Sequence, residues 1–266
     1  MEGDRYLFID GGYAHQIYRD AMQAVFGVAG ELSVAKIVLQ INVFRTYYYD
    51  CLDDSQKDGE SKSAFDLRLQ SQEAYFSQIE SLPRVHLRLG TVMGRRRRQK
   101  EVDVLLAVDM LTHGFNRSMG QAALVAGDLD FRPVVDALIR AGIYVEVWYE
   151  NTSGSKGLYR AADLGRPINW SNLYMWSSDA FLATHQLPKV VGGAANEYLT
   201  ASQLGCGSFE GGTVELMSSA ERGPFILHVA RPGGTNEWLK HDDRNVLLGY
   251  FSALHGPLTW KSLREG

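Results

Sequence analysis

Short apolar runs alternate with stretches of helical periodicity through the first two thirds of the chain. RYLFID (5–10) has the continuous apolar character of a buried strand, and AHQIYRDAMQAVF (14–26) follows as a helix. LSVAKIVLQIN (32–42) reads as a second helix, and VFRTYYYDC (43–51) as a strand rich in β-branched and aromatic residues. Residues 53–63 are polar and form a loop, and AFDLRLQSQEAYFSQI (64–79) is helical. RVHLRLG (84–90) is a strand, VDVLLAVDMLTHGF (102–115) a helix and QAALVAG (121–127) a strand. FRPVVDALIRAG (131–142) is a helix ended by Gly142, IYVEVWYE (143–150) a strand, and GSKGLYRAAD (154–163) a short helix. Strand–helix alternation of this kind predicts an α/β fold with a mainly parallel sheet flanked by helices on both faces. In such sheets ligands sit beyond the carboxyl ends of the strands, so the residues that end the strands carry the functional information.

After about residue 176 the texture changes. Residues 177–266 hold 12 of the 27 glycines, against 15 in the first 176 residues. A short helix near 195–204, a hairpin joining TVELMSS to PFILHVARP across AERG, and a helix over 239–254 describe a small α+β extension. The expected division is therefore a domain over 1–176 and a C-terminal module over 177–266, whose function is not legible in its residues.

Composition is that of an ordinary globular protein, with 45% apolar and 22% charged residues in 266, which excludes disorder and fibrous repeats. Two cysteines, Cys51 and Cys206, cannot build a disulfide framework or a four-thiolate zinc site. MEGDRYLFID lacks the basic-then-apolar order of a secretory signal, and no apolar run reaches the ~20 residues of a membrane span. A cytoplasmic protein without membrane contact is the expectation. Lys plus Arg number 27 against 31 Asp plus Glu, a formal charge of −4 that speaks mildly against an evenly basic nucleic-acid binder.

The distribution of charge says more than its sum. Asp10 ends the first strand in FIDGGY, where Gly11 and Gly12 allow a tight turn. Asp128 and Asp130 follow another apolar strand in LVAGDLDFRP, and Asp103 opens a helix in KEVDVLLAVDM. Each has a plain structural use as a helix cap or first-turn acid. If Asp10, Asp103 and Asp128 share one strand-end pocket, each pair ~4 Å apart repels by about 4 kcal/mol at an effective dielectric near 20. Such a cluster takes up protons or binds a cation, and Mg²⁺ or Mn²⁺ is the natural partner for carboxylate and water ligands. Asp109 lies six residues beyond Asp103, about 120° round the helix, and is expected on the helix surface or behind the ligands. Asp136, mid-helix, has the same standing.

FIDGGY, KEVDVLLAVDM and AGDLDFRPVVDALIRAGIYVEVW, in this order, resemble the NYN family of PIN-like metal-dependent ribonucleases, including its LabA-like group. GSKGLYRAAD resembles the family's Ser…Leu…Ala-Asp element, and the resemblance covers roughly residues 5–175. It implies that Asp10, Asp103 and Asp128 bind the metal, that Asp130 completes or supports the catalytic site, and that RNA is the substrate. It also implies endonucleolytic hydrolysis by an activated water, leaving a 5′-phosphate and a 3′-hydroxyl. Tyr13 stands where many relatives carry Asn shortly after the Asp-Gly pair. Some PIN-like domains are inactive scaffolds, and a catalytically inactive RNA-binding or protein-interaction scaffold is the alternative reading. A phosphatase with an aspartate nucleophile would need a second acid at position 12, which is Gly.

Residues 84–100, RVHLRLGTVMGRRRRQK, hold seven Lys or Arg and no Asp or Glu. Arg95, Arg96, Arg97, Arg98 and Lys100 lead into the Asp103 helix, where phosphate contact suits guanidinium groups. Ser153 and Ser155 precede GLYRAAD, whose amides could hold a phosphate, although capping explains them as well. Tyr47, Tyr48 and Tyr49 offer base stacking or core packing. The expected partner is RNA, single-stranded or structured, with DNA left open. The C-terminal module would provide a homo-oligomer contact, a protein partner or RNA specificity.

Overall fold

The computed structural model describes residues 4–90, 100–191, 201–218, 224–234 and 236–264, which fall into two compact units. The first comprises Met1–Tyr18 and Leu32–Trp176, the second Arg19–Glu31 and Ser177–Gly266. Residues Arg19–Glu31, which the chain pattern leaves with the N-terminal domain, thus group with the C-terminal part.

In the first unit, β1 (Arg5–Asp10), β2 (Arg45–Cys51), β3 (Val85–Gly90), β4 (Gln121–Val125), β5 (Tyr144–Glu150) and β6 (Leu164–Ile168) form one sheet in the order β3-β2-β1-β4-β5-β6. Every pairing is parallel. The connecting helices are α1 (Gly11–Phe26), α2 (Val34–Ile41), α3 (Lys62–Glu80), α4 (Lys100–Phe115), α5 (Arg132–Arg140), α6 (Lys156–Tyr159) and α7 (Trp170–Met175). α1 gives its residues to Tyr18 to this unit and the rest to the second. Phe8, Tyr47, Tyr49, Leu124 and Val147 share a core with Val102, Leu106 and Met110 of α4 and Val135 and Leu138 of α5. Side chains alternate across a strand, and on the opposite face Tyr48 meets Tyr75 of α3, which in turn packs on His15 of α1. Helices therefore cover both faces, as the alternating pattern predicts. The sheet order reverses between β1 and β4, which makes their carboxyl ends the topological switch point.

All three tyrosines of β2 are buried, which removes them as base-stacking candidates. β6 was not legible because Gly165 and Pro167 interrupt it. Proline is tolerated there because β6 is an edge strand. The helix expected over 154–163 shortens to α6, and Asp163 instead accepts a hydrogen bond from the Val145 amide (2.8 Å).

The second unit contains α8 (Asp179–Thr184) and the strands β7 (Lys189–Val190), β8 (Ser202–Phe209), β9 (Gly212–Ser218), β10 (Phe225–Ala230), β11 (Glu237–His241) and β12 (Thr259–Leu263). They form a six-stranded sheet, β12-β8-β9-β10-β11-β7, with antiparallel pairs, and α9 (Arg244–His255) packs on it. Val214, Leu216, Leu227, Val229, Leu239, Leu247 and Phe251 make its core. The predicted β9–β10 hairpin is present. The helix expected near 195–204 falls mostly on residues 192–200, which lie outside the described residues, and 202–204 belong to β8. Within β8, Gly205 and Gly207 let β12 approach so closely that a Cβ would meet the Ser262 and Thr259 carbonyl oxygens at 2.5 and 2.8 Å. The helix expected over 239–254 starts later. Residues 237–241 pair with β10, and Asp243 then caps α9 by accepting from the Asn245 and Val246 amides. α9 meets the C-terminal half of α1 through Gly249, where a Cβ would stand 2.9 Å from the Ala24 carbonyl oxygen.

Candidate active site

Three acidic residues reach one pocket from three separate elements. Asp10 is the last residue of β1, Asp128 follows β4, and Asp103 stands in the first turn of α4. They line an open pocket of about 430 Å³ together with Gly12, Tyr13, Gln16, Gly127 and Ser153. β1 and β4 are paired neighbours, with Ile9 opposite Val125, so the two strand-end acids fall at the same sheet edge.

Local hydrogen bonds fix the two strand-end acids. The Asp10 Oδ1 accepts from the Tyr13 amide (3.1 Å), and the Asp128 Oδ1 accepts from the Asp130 amide (2.9 Å), capping the short 3₁₀ turn Leu129–Phe131. The capping and pocket-lining uses of these acids coexist, because each cap engages one oxygen of the carboxylate. Asp103 is exposed, as are Asp128 and Asp130.

Burial raises the Asp10 carboxyl to about 6, against a partial opposing effect of the Tyr13 amide. The negative charges of Asp103, Asp50 and Asp128 add to the rise. Asp103 is also raised, first by burial and then by Asp128 and Asp130. Asp130 therefore lies within electrostatic reach of the group but is not among the residues lining the pocket.

Asp50 was missed from sequence. It follows Tyr49, which is the β2 partner of Asp10, so it stands one residue before the end of the neighbouring parallel strand, at the same edge. It accepts from the Tyr48 hydroxyl (3.2 Å) and the Cys51 amide (2.8 Å), and burial raises its carboxyl. The available signal was that a third strand of the pattern, like 5–10 and 121–127, runs into an aspartate. Gly11 is required by space here rather than by dihedral freedom. A Cβ would stand 2.6 Å from the Tyr49 carbonyl oxygen and 2.8 Å from Asp50 Oδ2.

Tyr13 ties the pocket wall together. Its hydroxyl accepts from the Glu150 amide (2.8 Å) and from Ser153 Oγ (3.3 Å), and its ring fills the space a Cβ at Gly127 would need. Glu150 in turn holds the turn after β5 by accepting from the Thr152 and Ser153 amides. Ser153 lines the pocket, whereas Ser155 stands at the N-terminal boundary of α6 without a side-chain capping bond and donates its amide to the Gly127 carbonyl (2.9 Å). Asp109 accepts from Tyr49 Oη (2.9 Å) and pairs with Arg88 (3.2 Å), and Asp136 pairs with Arg132 on the α5 surface. Arg95, Arg96, Arg97 and Arg98 lie outside the described residues. Lys100 opens α4, and its side chain is likewise outside them.

Among the described residues no three Asp, Glu, His or Cys side chains converge closely enough to close a metal site by themselves. The donors are hard oxygens spaced round an open pocket. That set suits a hydrated Mg²⁺ or Mn²⁺, which keeps several waters and takes one or two carboxylates, and does not suit zinc.

No described helix is long and apolar enough to cross a membrane. No curated protein matches the chain. Among solved structures, a Vibrio parahaemolyticus protein of unknown function is 16% identical with a TM-score of 0.45, covering 63% of this chain and 94% of its own. The NYN domain model matches residues 6–169, the stretch that holds β1 to β6 and all the acids of the pocket. The chain therefore belongs to the NYN domain family, which has the PIN-like nuclease fold.

Proposed function

We propose that this protein is an endoribonuclease that depends on Mg²⁺ or Mn²⁺ held by Asp10, Asp103 and Asp128. The observation that carries the reading is the meeting of these three acids, from β1, α4 and the β4 end, in one pocket at the switch point of the sheet. Burial raises Asp10 to about 6 and the charges of Asp103, Asp50 and Asp128 add to that rise, an electrostatic load that a cation would relieve. When bound, such an ion neutralises phosphate charge and lowers the pKa of water.

The chain's own residues do the rest. Asp10 and Asp128 are oriented by their caps, so their pocket-facing oxygens need no reordering on binding. Asp130 adds negative charge beside Asp103 and thereby supports the site electrostatically. Tyr13 holds the Gly127 and Glu150 strand ends in place, and Ser153 brings a hydroxyl to the pocket wall. Arg95, Arg96, Arg97, Arg98 and Lys100 offset the repulsion between an acidic pocket and an anionic substrate. Ser155 assists through its place at the start of α6. RNA is the substrate class, single-stranded or structured, in the cytoplasm. The second unit contributes a protein partner, a self-association contact or RNA specificity.

The lack of a closed three-ligand group among the described residues favours one other reading, an inactive scaffold that keeps the fold and binds RNA or protein. Circular and linear RNAs, with DNA of matching sequence, separate the two when incubated with Mg²⁺, Mn²⁺ or EDTA. Opening of the circle only with metal, leaving 5′-phosphates, supports the endoribonuclease. Binding without cleavage under every condition supports the scaffold.

A further inference from the structure

The β3 edge of the first sheet carries a basic and aromatic patch distinct from the acidic pocket. Phe44, Arg84, His86 and Arg88 are exposed there, and Arg45 and His113 are half-buried beside them. The Arg84 guanidinium lies 4.6 Å from the Phe44 ring centroid, and Arg45 lies 6.0 Å from Phe44 and 5.4 Å from Tyr6. His86 stacks on Tyr47 at 5.0 Å, His113 is 4.8 Å from the same ring, and Arg88 reaches it at 5.9 Å. Three guanidiniums and two imidazoles thus crowd one surface. The carboxylates acting on them are Asp109, paired with Arg88, and Asp4, near Arg45. The positive field is felt inside the cluster: after burial, Arg45 and Arg88 push His86 towards the neutral form, and they act on His113 in the same direction against a larger opposing effect of Asp109. This stands out in a chain of net charge −4.

Two features mark the patch as built for a ligand. Arg84 has φ +62°, a left-handed conformation that an L side chain adopts at a cost and glycine would adopt freely. Persistence of such strain invites a functional reason, and here the guanidinium is presented over an exposed aromatic face. His86 and Arg88 also present their side chains on one face of β3, about 6.6 Å apart on an extended chain.

We propose that this patch is a track for single-stranded RNA leading to the acidic pocket, with a base on Phe44 and phosphates on Arg45, Arg84 and Arg88. α4 connects the two places. Asp103 lines the pocket, Asp109 holds Arg88 six residues on, and His113 closes the patch ten residues on, about 15 Å along the helix. Alternating cations and aromatic faces are how sequence-tolerant single-strand binders work, and the exposed Phe44 ring among the guanidiniums favours nucleic acid over an acidic protein. The proposal rests on the nucleic-acid reading of the pocket.

The test measures binding of a labelled 12-nucleotide RNA to the full chain in EDTA across a salt series, beside cleavage of the same RNA with Mg²⁺. Arg84→Gly relieves backbone strain, so its melting temperature should match or exceed wild type while affinity falls several-fold. Phe44→Leu should weaken binding by about tenfold, as loss of one stacked base does. The triple variant Arg45→Gln, Arg84→Gln, Arg88→Gln should lower the salt slope by about 2, at ~0.7 per phosphate contact. Unchanged affinity and slope in the triple variant overturn the track, and cleavage by wild type in that case leaves the nuclease reading intact. Wild type that binds poly-glutamate as tightly as RNA also overturns it. Weakened binding by the variants, with no cleavage by wild type under any metal, supports the track and removes the nuclease.

Discussion

Asp10 shows how one residue can be both a cap and a strained acid. Its carboxyl is raised from 3.8 to about 6, so the metal-free folded chain holds a proton that the unfolded chain has released. The resulting stability is complete below pH ~3.8 and is lost as pH rises through about 6. Metal-free protein should therefore weaken between pH 4 and pH 7 in urea melts. Asp10→Asn should abolish this loss and stabilise metal-free protein at pH 7.5 by about 1–3 kcal/mol, while eliminating RNA cleavage. Added Mn²⁺ should close the stability gap by stabilising wild type alone, and a destabilised Asn variant would count against the account. Tyr13 makes a contrasting case. Its hydroxyl accepts from the Glu150 amide, so Tyr13→Phe should cost about 1 kcal/mol in a thermal melt. Cleavage should stay within about tenfold of wild type, because the side chain buttresses the wall rather than replacing the family's Asn. The carboxylates of the pocket were legible because each ends an apolar run or starts a periodic one. Asp50 was not singled out, because it is separated in sequence from Asp10 and becomes its neighbour only through the parallel β1–β2 register.

Elements were legible where periodicity and burial agree. β1, β2, β4 and β5 are short apolar runs with buried centres, and α4 and α5 bury one face each against them. Where local pattern and tertiary pairing disagree, pairing wins. Residues 237–241 join β10 instead of opening the helix expected over 239–254, and Pro167 sits in a strand that only an edge position allows. The polar loop expected over 53–63 is present ahead of α3, and Arg68 organises it from a distance. Its guanidinium donates to the Asp53 and Ser55 carbonyls and to both Glu60 carboxylate oxygens, drawing the Glu60 carboxyl down to about 2. Arg68→Ala should speed amide hydrogen exchange across residues 53–61 by about tenfold or more, without altering β1 or β4. Uniform exchange in both proteins would show that the loop is held otherwise.

At the scale of the whole molecule, the formal charge of −4 conceals an acidic pocket at one sheet edge and a basic patch along another. Neither could be weighed from the sum, and the patch could not be assembled from sequence because Tyr6, Phe44, Arg84 and His113 come from four separate segments. The second unit buries its own core and carries its own sheet. The central claim is that the acids of the first unit hold a divalent cation for RNA cleavage, and one comparison addresses it directly. A labelled single-stranded RNA is incubated with wild type and with Asp128→Asn, each in Mn²⁺ and in EDTA, and initial cleavage rates are measured. The account predicts cleavage by wild type in Mn²⁺ alone, with a loss of at least about a hundredfold in the variant. Equal rates for the two proteins, or cleavage by wild type that persists in EDTA, would contradict it.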